Sequence, residues 1–206
     1  MISNLRSTFS PIITLLAKPF SKIDPNILTL LGVIPPVIIF LLIIRGYYLL
    51  AFCSFALISL DFLDGAVARM TNKVTAFGGF LDSTLDRIAD GIIISAFGFA
   101  GIVRWEIVIP LMILSFVISY TRSRAREAAL ENGIKDAKFS VGIFQRGERI
   151  VFIAISLFAY VVFSHVEFAG MNIVEIAFSL FIFLSLISLS ERIINAYRIL
   201  NVSTKH

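Results

Sequence analysis

Long apolar runs separated by short polar segments make up most of the chain. A helix needs about 20 mostly apolar residues to cross a bilayer, and runs near that length predict six transmembrane helices. The predicted spans cover residues 27–44, 48–69, 77–103, 105–121, 147–165 and 172–191. The fold class that follows is all-α and integral to the membrane.

The first span has a well-marked beginning. Asp24 can accept hydrogen bonds from the first free N–H groups of a helix, and Pro25 suits the first helical position. Pro35 and Pro36 lie inside the same run and predict a kink, which membrane helices tolerate when neighbouring groups satisfy the freed carbonyls.

Residues 1–23 follow a different pattern, in which apolar side chains recur at helical spacing between cationic ones. The apolar positions are Leu5, Phe9, Ile12, Ile13, Leu16 and Phe20, and the cationic ones are Arg6, Lys18 and Lys22. This pattern is typical of an amphipathic helix that lies in the membrane interface. We therefore expect one membrane domain over residues 1–206, with an interfacial helix at 1–23 and a six-helix bundle at 24–200.

Composition and charge support a membrane location and give an orientation. The chain is 58% hydrophobic and 16% charged, with a mean hydropathy of +0.92, which excludes an ordinary soluble domain. With six spans, one face carries only Arg45 and Arg104, and nearly all other Lys and Arg residues fall on the opposite face. The positive-inside rule places that basic face and both termini in the cytoplasm. A basic membrane face suits anionic head groups and phosphorylated substrates, so no nucleic acid partner is expected.

Two pairs of aspartates interrupt the second and third spans. Asp61 and Asp64 are three residues apart, Asp82 and Asp86 four, so each pair shares one helix face. A short turn around Asn72 joins the two spans, which predicts that all four carboxylates meet near the cytoplasmic boundary. Such a cluster is either protonated or bound to hard cations, and we favour metal. Two Mg²⁺ or Mn²⁺ ions, roughly 3.5–4 Å apart, would clamp a diphosphate.

Small residues beside the aspartates leave room for a ligand. Gly65 and Ala68 lie on the face of the first pair, and Gly78 lies one turn before the second pair. A flat polar group such as a nucleotide head fits close to the backbone there. Arg69 and Thr75 flank the same turn, and the guanidinium fork is a natural partner for phosphate oxygens.

Two other classes of protein use aspartates inside the membrane. Membrane prenyltransferases combine aspartate-rich helices with Mg²⁺ and diphosphate, but they usually have more spans and more widely separated motifs. Ion and proton carriers more often place charges near the bilayer midplane and have related halves. The spacing in this chain favours a metal-dependent transferase over both.

The same residues match the pattern of a known family. The pattern DxxDGxxAR, then eight residues, then GxxxDxxxD is met here by Asp61, Asp64, Gly65, Ala68, Arg69, Gly78, Asp82 and Asp86. The chain resembles the CDP-alcohol phosphotransferases over nearly its whole length. The resemblance implies an enzyme that transfers a substituted phosphate group from a CDP-linked lipid to an alcohol and releases CMP.

The resemblance also implies a role for each residue. The four aspartates would hold two Mg²⁺ or Mn²⁺ ions, and Asp86 would also serve as the general base. The CDP-lipid would be held by Asn26, Thr29, Asp61, Gly65, Ala68, Arg69, Thr75 and Gly78. A carboxylate beside cations stays ionised at neutral pH, which suits a base. A homodimer is implied as well.

Arginines at the cytoplasmic ends of the last three spans are candidates for binding the phosphate of the acceptor. They are Arg122, Arg124, Arg146, Arg149 and Arg192. The ordinary alternative is that cytoplasmic loops are simply basic. However, Arg146 and Arg149 begin a helix, where the helix dipole disfavours cations. That cost indicates a bound anion.

Two short segments bear on the acceptor. The segments SYTRSRARE and RGER resemble members of the family that use inositol 1-phosphate, the phosphatidylinositol-phosphate and archaetidylinositol-phosphate synthases. The donor would then be CDP-diacylglycerol or CDP-archaeol. Glycerol phosphate, which is also anionic, is the alternative acceptor, whereas serine and choline would need less positive charge.

Overall fold

The computed structural model describes residues 17–58, 62–134, 146–163 and 166–202, and these are almost entirely helical. A short 3₁₀ turn at Lys18–Phe20 precedes the first helix. The described helices are α1 (Pro25–Leu31), α2 (Ile34–Ile44), α3 (Tyr48–Ile58), α4 (Phe62–Met70), α5 (Ala76–Phe99), α6 (Trp105–Glu131), α7 (Arg146–Val162) and α8 (Ile173–Val202), with a small hairpin of β1 (Glu167–Phe168) and β2 (Met171–Asn172) before α8. The helical class is confirmed, while most of the predicted interfacial helix lies outside the described residues.

The start of the first span is as predicted, but its kink is a complete break. The Asp24 side chain accepts a hydrogen bond from the Asn26 N–H at 2.8 Å, and Pro25 opens α1. Helix α1 ends at Leu31 and α2 begins at Ile34, so the break precedes the two prolines. Proline lacks an N–H and has a fixed φ, which suits the first turn of a helix better than its interior.

A tight turn joins α4 to α5, the two helices that carry the aspartate motif. Asn72 adopts the left-handed conformation with φ 53°, and the N–H of Lys73 bonds the carbonyl of Ala68 at 2.9 Å. Asparagine tolerates this conformation better than most residues, which is why it ends the helix here. Thr75 then caps α5, since its hydroxyl accepts from the N–H of Gly78 at 3.0 Å. The short turn that the sequence predicted around Asn72 is confirmed.

Four stretches of the described chain are long and apolar enough to cross a membrane. They are Pro25–Ile44, Tyr48–Met70, Trp105–Glu131 and Ile173–Asn201, and the second of them runs across residues 59–61, which lie outside the described part of the chain. These correspond to the first, second, fourth and sixth predicted spans. The third, α5, carries several charges, and the fifth, α7, has 17 residues and a charged first turn. The count of six spans therefore stays a prediction.

The helices form two compact units whose boundary lies between Ile93 and Ile94, within α5. In the first unit, α2 packs against α3, and α1 packs against α4. The buried residues of this unit include a small cluster, formed by Ala17, Ala66 and Val67 with Leu28 and Leu63 around it. The α1–α4 packing brings the start of the first span next to the helix that carries Asp64. The interpretation of residues 1–206 as one domain stays a prediction.

In the second unit, α8 packs against both α6 and α7. Aromatic contacts fill the interior: the ring of Phe178 lies 4.9 Å from that of Phe97, and the ring of Phe181 lies 5.3 Å from that of Phe152. Edge and tilted arrangements of this kind are the favourable ones for aromatic pairs. The end of α5 together with α6 and α7 therefore packs around α8 in one core.

A polar network ties the start of α6 to the start of α8. Glu175 is buried, and its carboxylate accepts two hydrogen bonds from Arg104. The backbone N–H of Arg104 donates at 3.2 Å and the side-chain Nε of Arg104 donates at 2.9 Å. Asn172 caps α8 by accepting from the N–H groups of Val174 and Glu175, and its own amide donates to the carbonyl of Ile102 at 2.5 Å. The side chains of Glu175 and Asn172 thus bond both their own helix start and the segment around Arg104.

Candidate active site

The carboxylates of the aspartate motif lie on α4 and α5. Asp64 on α4 and both Asp82 and Asp86 on α5 are half-buried, whereas Asp61 lies outside the described residues. Among the residues that the structure describes, no group of three or more Asp, Glu, His or Cys side chains is arranged to hold a metal ion. Carboxylate oxygens are the donors that Mg²⁺ and Mn²⁺ prefer, so the chemistry of these ligands fits the expected ions.

The carboxylate of Asp64 is held in place from both sides. The hydroxyl of the buried Thr29 donates to Asp64 Oδ2 at 2.6 Å, and the backbone N–H of Gly65 donates to Oδ1. Thr29 Oγ1 also lies 3.0 Å from the carbonyl of Pro25. A hydroxyl has one proton to donate, and the contact with the charged carboxylate is the shorter of the two. We therefore infer that the Thr29 hydroxyl donates to Asp64 and not to Pro25. A residue expected at the donor lipid therefore contacts an expected metal ligand.

The two motif glycines lie under polar side chains. A Cβ on Gly65 would lie 3.3 Å from Arg69 Nη1, so the guanidinium folds back over that glycine. A Cβ on Gly78 would lie 3.2 Å from both Asn26 Oδ1 and Thr75 Oγ1. The structure thus brings together residues that the sequence placed at the donor site: Arg69 with Gly65, and Asn26 and Thr75 with Gly78.

Three further residues of α4 and α5, Ala68, Asp86 and Asp90, bear on this site. Ala68, also expected at the donor site, is half-buried on α4. Asp86 Oδ2 lies 3.6 Å from Arg87 Nη1, which itself donates to the carbonyl of Ser83 at 2.5 Å. Asp90, one turn after Asp86, is only 5% exposed and was missed by the sequence analysis. Its spacing of four from Asp86 is the signal that could have identified it.

Three of the five candidate arginines converge in the second unit. Arg149 on α7 and Arg192 on α8 are 6% and 9% exposed. Arg192 interacts electrostatically with Arg149 and with Arg122 of α6, and Glu191 opposes that repulsion. Arg122 is exposed, whereas Arg149 and Arg192 place like charges away from water, which is favourable only in the presence of negative charge. Guanidinium groups such as these have the charge and the hydrogen-bond donors to bind a phosphate.

The other two arginines have different surroundings. Arg124 is exposed and forms a salt bridge with Glu127 on the same helix. Arg146 is half-buried as the first residue of α7 and lies three residues before Arg149, so the two share a helix face. Both remain candidates for the acceptor site, while Arg122 and Arg149 are the two that interact electrostatically with Arg192.

Comparison with known proteins assigns the family. The family model for CDP-alcohol phosphatidyltransferase matches residues 22–187, which is most of the chain and includes the whole aspartate motif. The chain belongs to this family. It is therefore a membrane enzyme of phospholipid biosynthesis that transfers a substituted phosphate group from a CDP-linked donor to an alcohol. Membership excludes the prenyltransferase and carrier alternatives.

Several relatives are similar along much of their length. The archaetidylinositol phosphate synthase of Pyrococcus horikoshii is 37% identical over 167 residues, covering 76% of this chain and 81% of that protein. The phosphatidylinositol phosphate synthase of Mycobacteroides abscessus is 33% identical over 165 residues, covering 72% and 69%. These relatives include both enzyme types to which the segments SYTRSRARE and RGER are similar.

Solved structures share the fold. The phosphatidylinositol phosphate synthase of Mycobacterium tuberculosis in complex with manganese and citrate matches with a TM-score of 0.74 at 25% identity, over 90% of this chain and 88% of that one. The same enzyme with CDP-DAG bound matches with a TM-score of 0.74 at 24% identity, over 91% and 94%. The helical architecture of this chain is therefore that of a known membrane enzyme.

Proposed function

We propose that this enzyme transfers the lipid-phosphate group of CDP-diacylglycerol or CDP-archaeol to inositol 1-phosphate and releases CMP. The observation that carries the proposal is the convergence of Arg122, Arg149 and Arg192 from three helices. An acceptor that brings its own phosphate can form charged hydrogen bonds with these cations, which an uncharged alcohol cannot. The relatives named as inositol phosphate lipid synthases support the same acceptor.

The donor is proposed to bind at the turn between α4 and α5. The residues assigned to it are Asn26, Thr29, Asp61, Gly65, Ala68, Arg69, Thr75 and Gly78. The close approach of Asn26 and Thr75 to Gly78, and of Arg69 to Gly65, supports this assignment. The M. tuberculosis enzyme that shares the fold has been seen with CDP-DAG. Absence of a side chain at the two glycines lets a ligand lie against the backbone.

Two divalent ions, Mg²⁺ or Mn²⁺, are proposed to be held by Asp61, Asp64, Asp82 and Asp86. Ions bound there would neutralise the diphosphate of the donor and stabilise the leaving phosphate. Manganese in the M. tuberculosis structure supports the choice of metal. The hydrogen bond from Thr29 orients the carboxylate of Asp64 for this role, because partners of a ligand fix its direction.

The chain's own chemistry in the transfer is a single displacement. Asp86 accepts the proton of the acceptor hydroxyl as that oxygen bonds to the phosphorus of the lipid phosphate. The bond between this phosphorus and the oxygen of the CMP phosphate breaks, and CMP leaves with the electron pair. The arginines are proposed to bind the acceptor through its own phosphate, which limits its motion during the transfer.

The orientation of the enzyme in the membrane and its oligomeric state are proposed from the sequence. Six spans, with the active site and both termini in the cytoplasm, are proposed from the uneven distribution of Lys and Arg. A homodimer is proposed from the family resemblance.

The function is tested by CMP release from a CDP-linked lipid in the presence of Mg²⁺ or Mn²⁺. Inositol 1-phosphate, glycerol phosphate and serine are offered separately to purified, folded protein. We expect release with inositol 1-phosphate, no release after chelation, and recovery when metal returns. Release with glycerol phosphate instead would favour the alternative acceptor, whose phosphate suits the same arginines. A product with serine alone would contradict the role of the arginines.

A further inference from the structure

Ser188 and Arg192 lie one turn apart on α8, and each has a buried polar atom. Ser188 is fully buried and Arg192 is 9% exposed. Within the described part of the chain, neither Ser188 Oγ nor Arg192 Nε has a hydrogen-bond partner. Residues four apart share a helix face, so both atoms belong to the same buried side of α8, about 6 Å apart along its axis.

The hydrogen bonding of Ser188 differs from that of four other helical serines among the described residues. A serine inside a helix usually satisfies its hydroxyl by donating to the carbonyl four residues earlier. This bond is formed by Ser54 to Leu50, Ser156 to Phe152, Ser179 to Glu175 and Ser190 to Leu186. Ser188 does not form it, although it is more deeply buried than Ser54 or Ser156. A buried hydroxyl without a hydrogen-bond partner is energetically costly. We therefore expect the Ser188 hydroxyl to bind a molecule that is not part of the chain.

We propose that Ser188 is a specificity-determining residue of the acceptor site and that its hydroxyl binds a ring hydroxyl of the phosphorylated polyol. This inference rests on the proposed function. In this arrangement Arg192 Nε donates to the acceptor's phosphate together with Arg149 and Arg122, and Ser188 lies one turn farther from the carboxyl end of α8. A polyol phosphate has its anionic group at one end and hydroxyls at the other, which matches this order.

The chemistry of Ser188 suits a polyol. A hydroxyl both donates and accepts, so it can pair with any ring hydroxyl whatever that group's orientation. A site built to bond a substrate hydroxyl also disfavours acceptors that lack it, since its own polar atom is then left unpaired. An ordered water would satisfy Ser188 equally well, and in that case its removal would leave acceptor affinity unchanged.

The test compares Ser188→Ala and Ser188→Cys with a matched control, Ser156→Ala. Ser156 is a buried serine of the same unit whose hydroxyl is already bonded to Phe152. Cysteine nearly preserves the side-chain volume but donates weakly. We expect both Ser188 variants to raise the KM for inositol 1-phosphate about tenfold, with the KM for the CDP-lipid unchanged. The control should leave both constants at the wild-type values.

The remaining outcomes each contradict a stated part. If wild-type enzyme uses inositol 1-phosphate and the Ser188 variants have an unchanged KM for it, the role of Ser188 is wrong and the proposed function stands. An equal rise in both KM values would identify a structural role and also overturn the inference. If wild-type enzyme does not use inositol 1-phosphate, the proposed function fails and this inference fails with it. A KM ratio is insensitive to the fraction of folded enzyme, so partial loss of folding does not blur these results.

Discussion

Thr29 links the donor site to the expected metal site through one hydrogen bond. Its hydroxyl donates to Asp64 Oδ2 at 2.6 Å, and its side chain is buried. Thr29→Val nearly preserves the shape and removes the donor, so we expect the metal concentration for half-maximal CMP release to rise about tenfold. Thr29→Ser keeps the hydroxyl and should stay near wild type. Equal metal requirements for the two variants would contradict the role of this bond.

Asp86 is assigned two roles, metal ligand and general base, and both require its carboxylate. Asparagine nearly matches the shape of aspartate but does not accept the proton of the acceptor hydroxyl. We expect Asp86→Asn to lower kcat by a factor of about 10²–10⁴ while the protein still binds the CDP-lipid. Binding is measured by equilibrium titration and kcat by CMP release. Turnover near the wild-type rate would remove Asp86 from the role of base.

The first turn of α5 offers a matched pair of glycines. A Cβ at Gly78 would lie 3.2 Å from Asn26 Oδ1 and Thr75 Oγ1, whereas one at Gly79 would meet nothing within 4 Å. Both substitutions by alanine favour helix formation to the same degree, so stability does not distinguish them. We expect Gly78→Ala to raise the KM for the CDP-lipid about tenfold, on the order of one displaced hydrogen bond. Gly79→Ala should leave it unchanged, and similar effects would contradict the donor assignment.

Helix starts could be predicted more closely than helix ends. Asp24 with Pro25 marks the start of α1 by local chemistry, and the structure confirms it. The fourth span was predicted over 105–121, but α6 continues to Glu131 because hydropathy marks the edge of the membrane and not the end of a helix. The segment after Thr121 is polar and still helical, which places Arg122 on a regular helix.

The parts of the candidate site that form a recognisable pattern along the sequence could be predicted. The motif residues and the basic ends of the last spans are readable along the chain, and the structure groups Arg122 with Arg149 and Arg192. Ser188 was not predictable, because it is one of several serines in an apolar run. Only packing shows which hydroxyl is buried and left without an intrahelical bond.

The distribution of charge over the whole molecule gives a prediction about orientation. Tyr47, between α2 and α3, and Asn132, after α6, are both exposed and are expected on opposite sides of the membrane. Cysteines are placed at each position in a Cys53→Ala background, since Cys53 is the chain's one cysteine. In intact cells an impermeant maleimide should label position 47 and not position 132, and inverted vesicles should give the reverse. The opposite pattern would contradict a cytoplasmic active site.

Arg122, Arg149 and Arg192 are proposed to bind the acceptor's phosphate. The most direct measurement is the KM of both substrates for Arg149→Gln, with Arg126→Gln as the control, an exposed arginine one turn after Arg122. We expect Arg149→Gln to raise the KM for inositol 1-phosphate at least tenfold, as loss of a charged hydrogen bond requires, with the KM for the CDP-lipid unchanged. Arg126→Gln should resemble wild type. An equal rise for both substrates, or an equal effect of the two substitutions, would contradict the account.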